Sequence, residues 1–338
     1  MRSDPRRPSQ VTRTAATRPA WGALRERGRE PDAVDVVGLG EVSLDRRIGV
    51  QFLPGPGEKQ AVRADQSFPG GQVATAMLGC ARLGLSTRFI GAVGCDESAD
   101  AALEPLVAGG VDVRAVQRID GGSTRQAWVL VESVQGERSV IEKRDASVRV
   151  DTGQLDRNRI VNARALLIDV TDPDAAIWAA RHARGAGIAV FLDADRLSPA
   201  AEKLLPWVDF PVVSQRFAEE IGSGVSILAG LRQMLEIGAV TAVVTLGERG
   251  ALAVDAQGEY QSAAFEISPE DTTGAGDAFH AAWITAAIAG KDLESALRMA
   301  NAVAALNCRE QGAQAGLPTS DTLASFLRVQ RQRSWRGV

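Results

Sequence analysis

A doubly wound α/β domain, with helices on both faces of a mainly parallel sheet, is the fold class this sequence predicts. Three observations predict it. From Ala163 to about Gly247, short apolar runs alternate with amphipathic helical segments, the pattern of strand–helix–strand crossovers. The first apolar run, VDVVGLG at 34–40, ends on a glycine turn as a buried strand does. Two strand-rich pieces, about 46–66 and 124–142, stand outside the alternation and predict a small separate sheet that could lie over a site as a lid.

The elements follow in order. After the first strand, RRIGVQFLPGPGEKQAVRAD is broken by Pro and Gly at 54–57 and reads as short strands in a hairpin. GGQVATAMLGCARLG sets Val73, Ala76, Met77, Cys80 and Leu83 at helical spacing, with Gly84 suited to the C-terminal cap. TRFIGAVG is a strand and DESADAALEPLVAGG a helix. TRQAWVLVES and ERSVIEK are strands around the turn VQGE. ALLIDV, IAVFLDA, VDFPVVS and AVTAVVTLG are the parallel strands, separated by helices beginning PDAAIW, SPAAEK, QRFAEE and VSILAG. GALAVDAQGEYQSA is an antiparallel hairpin, and helices over 274–290, 292–311 and about 320–331 complete the chain.

Composition excludes several functions. The chain of 338 residues is 45% hydrophobic and 24% charged, with a net charge of −4. That is globular, with no electrostatic footprint for nucleic acid. No apolar run is long enough to span a bilayer. The three cysteines are far apart, and two histidines supply neither a histidine metal site nor a Ser-His-Asp triad. Cys80, Cys95 and Cys308 are read as buried small hydrophobes, and a cytoplasmic location is expected. Residues 1–33 are rich in Arg, Pro, Ser and Thr and lack a signal-peptide core. They are read as a disordered basic extension, in preference to a transit peptide, with ordered structure expected from 34 to 331.

The chemistry concentrates in EDTTGAGDAFHAAW, 270–283. Ala275, Ala278, Phe279, Ala282 and Ala286 fall on one face of a helix, which puts Gly274 and Gly276 in its first turn. Backbone N–H groups there have no intrahelical partner, and together with the helix dipole they attract anions. Small side chains let a phosphate approach. Asp277 sits at the same place. A carboxylate beside an anion site is unfavourable unless it has a task, such as accepting a proton from a hydroxyl that attacks phosphorus. Gly274–Asp277 alone also reads as a turn with an acid favoured by the dipole.

The longer string DTTGAGDAF resembles the carboxy-terminal signature of the ribokinase/phosphofructokinase-B family of sugar kinases. The resemblance runs from about 34 to 330. GLGEVSLD at 38–45 resembles the family's first strand, GGQVATAMLGCARLG at 70–84 its glycine signature, and VTLGERGALA at 244–253 its nucleotide loop. NAVAALNCREQGAQAGLP at 301–318 resembles the segment lining its adenine and monovalent-cation sites. What the resemblance implies is a three-layer α/β/α ribokinase-like sandwich with a small β lid. The implied activity is ATP-dependent, Mg2+-assisted phosphorylation of a hydroxymethyl group on a sugar or polyol. It implies Asp277 as base, with the N–H groups of Ala275, Gly276 and Asp277 holding phosphoryl charge. Asp45 would grip substrate hydroxyls, with Gly70, Gly71 and Thr75 also at the substrate. Thr245, Gly247, Gly250 and Asn301 would meet the nucleotide. Asp271 and the carbonyls of Thr273 and Gly312 would form a potassium site. Partners would be sugar and ATP, with a homodimer through the lid.

Two departures bear on specificity. Thr75 stands where many members have Asn. SQRF at 214–217 stands where many have N-x-x-E, and Phe217 cannot do what a Glu does; VVSQRFAEEIG is more similar to the ketohexokinase branch. Glu219 and Glu220 are read as exposed. GLGEVS lacks the third Gly of a dinucleotide fingerprint, and Gly290-Lys291 is followed by Asp292, which excludes a P-loop. Asp169, Asp172, Asp193 and Asp195 follow strands and read first as turn and cap residues. Lys143 and Arg144 read as a solvated pair, or as contacts for an acidic substrate. His280 reads as packed or capping. A nucleoside kinase, with stacking from Phe52, Phe68 or Trp128, is one alternative, and a non-catalytic sugar- or nucleotide-binding regulator is another.

Overall fold

The computed structural model describes residues 18–329, apart from Arg27, Arg29 and 133–137, together with Trp335. The chain opens with β1 (Val36–Leu39), β2 (Ser43–Val50), β3 (Ala64–Gly70), α1 (Gln72–Arg82), β4 (Thr87–Ile90), β5 (Ala92–Gly94), α2 (Glu97–Ala108), β6 (Gln117–Ile119), β7 (Gln126–Glu132) and β8 (Arg138–Lys143). The alternating half follows as α3 (Arg157–Val161), β9 (Ala165–Ile168), α4 (Pro173–Gly185), β10 (Ala189–Ala194), α5 (Pro199–Leu204), β11 (Phe210–Ser214), α6 (Gln215–Ile221), α7 (Ile227–Ile237) and β12 (Thr241–Thr245). The hairpin β13 (Ala251–Asp255) and β14 (Glu259–Ser262) leads to α8 (Ala275–Ile288), α9 (Leu293–Asn307) and α10 (Ser320–Val329).

The central sheet has eight strands in the order β14-β13-β12-β11-β10-β9-β1-β4. Its first-to-last parallel block is β12 to β4, and β13 and β14 run antiparallel at one edge. Alternate residues of each buried strand feed opposite cores. Val36, Phe89, Leu167 and Phe191 join the core under α1, α2, α8 and α9; Val37, Ile90, Ile168 and Leu192 join the core under α4, α6 and α7. The result is the expected three-layer sandwich. The lid is a second sheet, β3-β2-β7-β8, in which β2 pairs parallel with β7. The expected VQGE turn at its tip lies outside the described residues. TRFIGAVG is two strands: β4 stays in the main sheet, and after Gly91 the chain turns so that β5 pairs with β6. A Cβ at Gly91 would lie 2.9 Å from the Gly40 carbonyl oxygen, which explains the glycine at that bend.

Two expectations need correction here. Ordered structure does not begin at Val34. Trp21 stacks on Trp283 with ring centroids 4.1 Å apart, meets Phe210 edge-on, and donates its indole N–H to the Lys291 carbonyl at 2.8 Å. Leu24 joins the core, and Arg18 donates to the Val208 carbonyl at 2.9 Å. Two apolar side chains in an otherwise polar stretch offset the ordering entropy that composition alone suggests is prohibitive. The second correction is that α8 is buried all round from Ala278 to Ala287, not on one face. Trp21 covers one side, while α1 and α9 cover others; Gly79 of α1 comes so close that a Cβ there would sit 2.6 Å from Ala281 Cβ.

The Trp21 contact predicts a stability effect remote from any chemistry. Trp21→Ala uncovers the Trp283 ring and deletes a partly buried indole. We expect roughly 2–3 kcal/mol lower unfolding free energy in denaturant titration, at the low end of buried Trp truncations, with nucleotide binding unchanged. An unchanged midpoint would show that this segment is not part of the folded body.

Candidate active site

The site is built where α8 begins. Gly274 caps the helix with φ 76°, a left-handed conformation. A Cβ there would lie 2.5 Å from the Ala313 carbonyl oxygen. Both facts require glycine. Gly276 differs: a Cβ would meet nothing within 4 Å, so it is small toward open space rather than toward protein. Ala275 N–H donates to the Thr272 carbonyl at 3.3 Å. Its donor is therefore partly engaged, and Gly276 and Asp277 supply the first-turn N–H groups that helix geometry leaves without intrahelical acceptors.

Two clefts meet at the loop before this helix, since Pro269 and Thr272 line both. One, of about 350 Å³, is walled by Thr245, Gly247, Gly250, Phe265, Gly276 and Asn301. It gathers every residue expected at the nucleotide. Gly250 takes φ 102°, and a Cβ there would lie 2.1 Å from the Ser262 carbonyl oxygen. Gly247 has φ 58° with open space around it. Asn301 is a wall rather than a free donor, because its amide N–H group is bonded to the Ser262 and Ala263 carbonyls. The second cleft, of about 530 Å³, lies under the lid and is lined by Asp45, Arg47, Phe68, Asp271, Thr273 and Gly312.

The carboxylates divide by environment. Asp277 is held well above the ordinary carboxylate range, first by burial of its carboxyl and then by the negative charges of Asp193, Asp195, Glu41 and Asp169. Asp45 is raised by burial, which outweighs the opposing influence of the neighbouring Ser43 hydroxyl and of Arg125. Asp169 is fully buried at the end of β9 and pushed up to about 7 by burial and by Glu41. It accepts the backbone N–H groups of Glu41 and Thr171, both at 2.8 Å. Asp172 accepts from the Val150 N–H and makes no cap bond to its own helix. Asp271 goes the other way: bonds from Thr273 and Gly312 outweigh its burial and hold it below the usual range.

The remaining expected residues separate into those at the clefts and those enclosed. Gly70 lies against Asp45, where a Cβ would be 2.7 Å from Asp45 Oδ2. Gly71, at φ 96°, lies against the Glu41 carbonyl. Its glycine requirement is thus met within the chain. Thr75 is completely buried, and its hydroxyl accepts from Gln314 Nε2 at 3.2 Å. The structure does not bring it to the cleft surface, so its effect on substrate choice would pass through Gln314. The potassium residues form a closed loop: Asp271 accepts from the Thr273 N–H and Oγ1 and the Gly312 N–H, and the Thr273 carbonyl accepts from Asn307 at 3.3 Å. The Asp271 carboxylate and the Thr273 carbonyl are thus already engaged by protein donors.

Ser214 caps α6, accepting from the Phe217 N–H and donating to the Asp195 carbonyl at 2.6 Å, while Phe217 is in the core. Glu219 and Glu220 are exposed as expected. Cys80 and Cys308 are buried, with thiols pushed up to about 12 and about 11 by burial. Cys95 is exposed and donates to Asp120, against expectation. Arg144 is not simply solvated.

A feature absent from the sequence reading joins lid and body. Glu41, 7% exposed after β1, accepts from Arg125 at 2.8 Å and Arg144 at 2.7 Å. Both arginines also bond Glu142 of β8 at 3.0 Å. The four charges close a ring across the lid root. Glu41 stands immediately after the strand-ending Gly40, and that position was the only signal available; its partners lie about 85 to 100 residues away.

A half-buried carboxyl, Asp277, in the first turn of a helix whose Gly276 walls one cleft, beside a second cleft under the lid, is an arrangement suited to a small-molecule kinase on a three-layer α/β sandwich. Residues 34–320 match the family model described as pfkB family carbohydrate kinase, and the chain belongs to that family. The ATP-dependent ribose-1-phosphate kinase of Halopiger xanaduensis is 28% identical over 306 residues, covering 87% of this chain and 98% of its own length. The ribokinase of Haemophilus influenzae is 26% identical over 298 residues, covering 86% of this chain and 97% of its own. The structure of Arabidopsis thaliana ribokinase complexed with ribose and ATP superposes with a TM-score of 0.79 at 26% identity, over 88% of this chain and 99% of that one. The chain is an ATP-dependent sugar kinase. Among the described residues no helix is long and apolar enough to cross a membrane.

Proposed function

We propose that this kinase transfers the γ-phosphoryl group of ATP to a hydroxymethyl oxygen of a pentose-sized sugar, with Asp277 as the base. The observation that carries the reading is the start of α8, where Asp277 directly follows Gly276, an open glycine in the wall of the cleft that gathers the residues expected at the nucleotide. The hydroxyl proton passes to Asp277 as its oxygen bonds phosphorus, and the bond to the ADP oxygen breaks. First-turn N–H groups hold charge on the transferred group. Asp45 orients the sugar from the lid side, and the lid excludes water that would otherwise consume ATP. Among the described residues no cluster of three or more His, Cys, Asp or Glu could hold a metal ion by itself. Mg2+ bound with ATP would neutralise phosphate charge.

The nucleoside alternative is less well supported. Of the three aromatics available for stacking, Phe68 alone lines the lidded cleft, and it packs against Gly312. A non-catalytic regulator would not require the open Gly276 beside a carboxyl held above its ordinary range. Potassium dependence rests on the family resemblance, since the Asp271 loop is satisfied by protein donors. A homodimer through the lid is supported by Val140 and Ile141 of β8, more than half exposed on an edge strand; equilibrium sedimentation of Val140→Lys against the native chain tests it.

The deciding experiment measures ADP release with Mg–ATP and D-ribose, ribose 1-phosphate, D-fructose or adenosine, in potassium and in sodium. Release stimulated by a sugar, with a phosphomonoester product, is expected. Stimulation by adenosine alone would replace this reading with the nucleoside one.

A further inference from the structure

His280, on α8 one turn beyond the base, is buried to 2% exposure and points Nε2 at Asp193 Oδ1, 3.2 Å away. Asp193 belongs to β10 and is equally enclosed; its Oδ2 and the His280 Nδ1 are buried without a hydrogen-bond partner. A buried carboxylate with one bond and one orphan oxygen is a poorly compensated charge. Its negative charge acts on the Asp277 carboxyl more strongly than those of Asp195, Glu41 or Asp169. The surrounding groups are mostly of one sign. Asp195 lies just beyond β10, Glu41 after β1 and Asp169 at the end of β9, and all act on Asp277. Arg196 beside Asp195 is the nearby cation, and α1 contributes the neutral Gln72 amide, 3.2 Å from Asp195. His280 is therefore the group placed to compensate Asp193 from inside the fold.

We infer that His280 is a positioning residue that acts on the reaction through Asp193, its Nε2–H holding the Asp193 carboxylate in place and offsetting the negative field that Asp193 lays on Asp277. The inference rests on Asp277 being the base. A packed histidine with no such role would need neither a carboxylate partner nor proximity to the base. The pairing exploits the helix period: residues three apart on α8 share a side, so one helix carries both the base and the compensator of its strongest neighbour.

The test reads Asp277 directly and needs no sugar. The Asp277 carboxyl 13C signal, assigned by its loss in Asp277→Asn, is titrated in the full chain. His280→Phe keeps the ring volume and removes the donor. We expect it to move the Asp277 midpoint up by about one pH unit, the scale of an uncompensated like charge at close range. Asp193→Asn in the same background returns it to the native value or below, and His280→Gln, which retains an N–H donor, moves it less than Phe. An unmoved midpoint in His280→Phe, or one that Asp193→Asn does not restore, overturns the inference even if turnover falls. Should His280→Phe unfold, Asp193→Asn alone decides: it must lower the Asp277 midpoint, and with only His182 and His280 in the chain it must also shift the single buried imidazole in an 15N spectrum. ADP release from the native chain is measured alongside. Absence of sugar-stimulated release with the expected Asp277 shifts would count against the kinase roles and leave the pairing standing.

Discussion

Asp277→Asn lowers turnover by about 10²–10⁴-fold, the usual worth of a positioned base, while ATP affinity changes little. Asn keeps the shape and cannot take a proton. The same variant is expected to be more stable than the native chain at neutral pH. The sign follows from the raised proton affinity of Asp277 in the folded state. A group whose folded pKa lies above its unfolded one stabilises the fold while it is protonated in both states. That stability is lost as pH rises from the ordinary carboxylate range through the folded value. Once the pH passes the ordinary carboxylate value the folded state carries a net cost at Asp277, set by burial and by Asp193, Asp195, Glu41 and Asp169, and Asn removes it. For turnover the same shift places the acid limb of kcat/KM above the ordinary carboxylate range, since activity requires the ionised base. Thermal unfolding at pH 7 together with a pH–rate profile checks both. A variant both inactive and less stable would mean that the carboxyl holds structure rather than storing unfavourable charge.

Local chemistry was legible in the sequence wherever a short string fixes backbone geometry. Gly274, Gly250 and Gly247 take the left-handed conformations that their glycines suggest, and the strand–helix alternation from Ala163 gave the parallel sheet because period and turn signals agree there. The residues expected at the nucleotide come from two continuous stretches, and they line one cleft. Three kinds of feature were not legible. The Glu41–Arg125–Glu142–Arg144 ring joins positions with no shared local pattern, and charged residues in turns read as solvated by default. Trp21 lies in a stretch whose average composition hides one aromatic with a receptive surface on Trp283 and Phe210. Thr75 was placed at the substrate by a motif position, whereas Gln314 and close packing of α1 enclose its hydroxyl.

The ring at the lid root and the acids on the sheet edge share one residue. Glu41 is held by two lid arginines and acts electrostatically on both Asp169 and Asp277. One carboxylate thus belongs both to the lid-root ring and to the group of acids around Asp277. Nothing in a linear reading connects a residue after the first strand with one after the tenth. The topology does, because β1, β9 and β10 are consecutive neighbours in the sheet.

Two glycines two residues apart predict opposite stability effects with the same loss of activity. Gly274→Ala must place a Cβ 2.5 Å from the Ala313 carbonyl oxygen at φ 76°. The strain is about 1–3 kcal/mol, and relief requires the loop after α9 or the first turn of α8 to shift. Moving that turn displaces the base and the N–H donors together. A misplacement of about 1 Å costs on the order of 10²-fold in turnover. Gly276→Ala meets nothing within 4 Å in the protein and puts a good helix former in a helix. Its unfolding midpoint should equal or exceed that of the native chain. Its Cβ instead occupies the wall of the nucleotide cleft, where a phosphate must approach the backbone, so turnover and Mg–ATP affinity both fall. Thermal unfolding and nucleotide titration of the pair discriminate the two glycine roles. If Gly276→Ala binds Mg–ATP as the native chain does, the phosphates do not approach the backbone at this turn, and the anion-holding role assigned to the start of α8 fails with it.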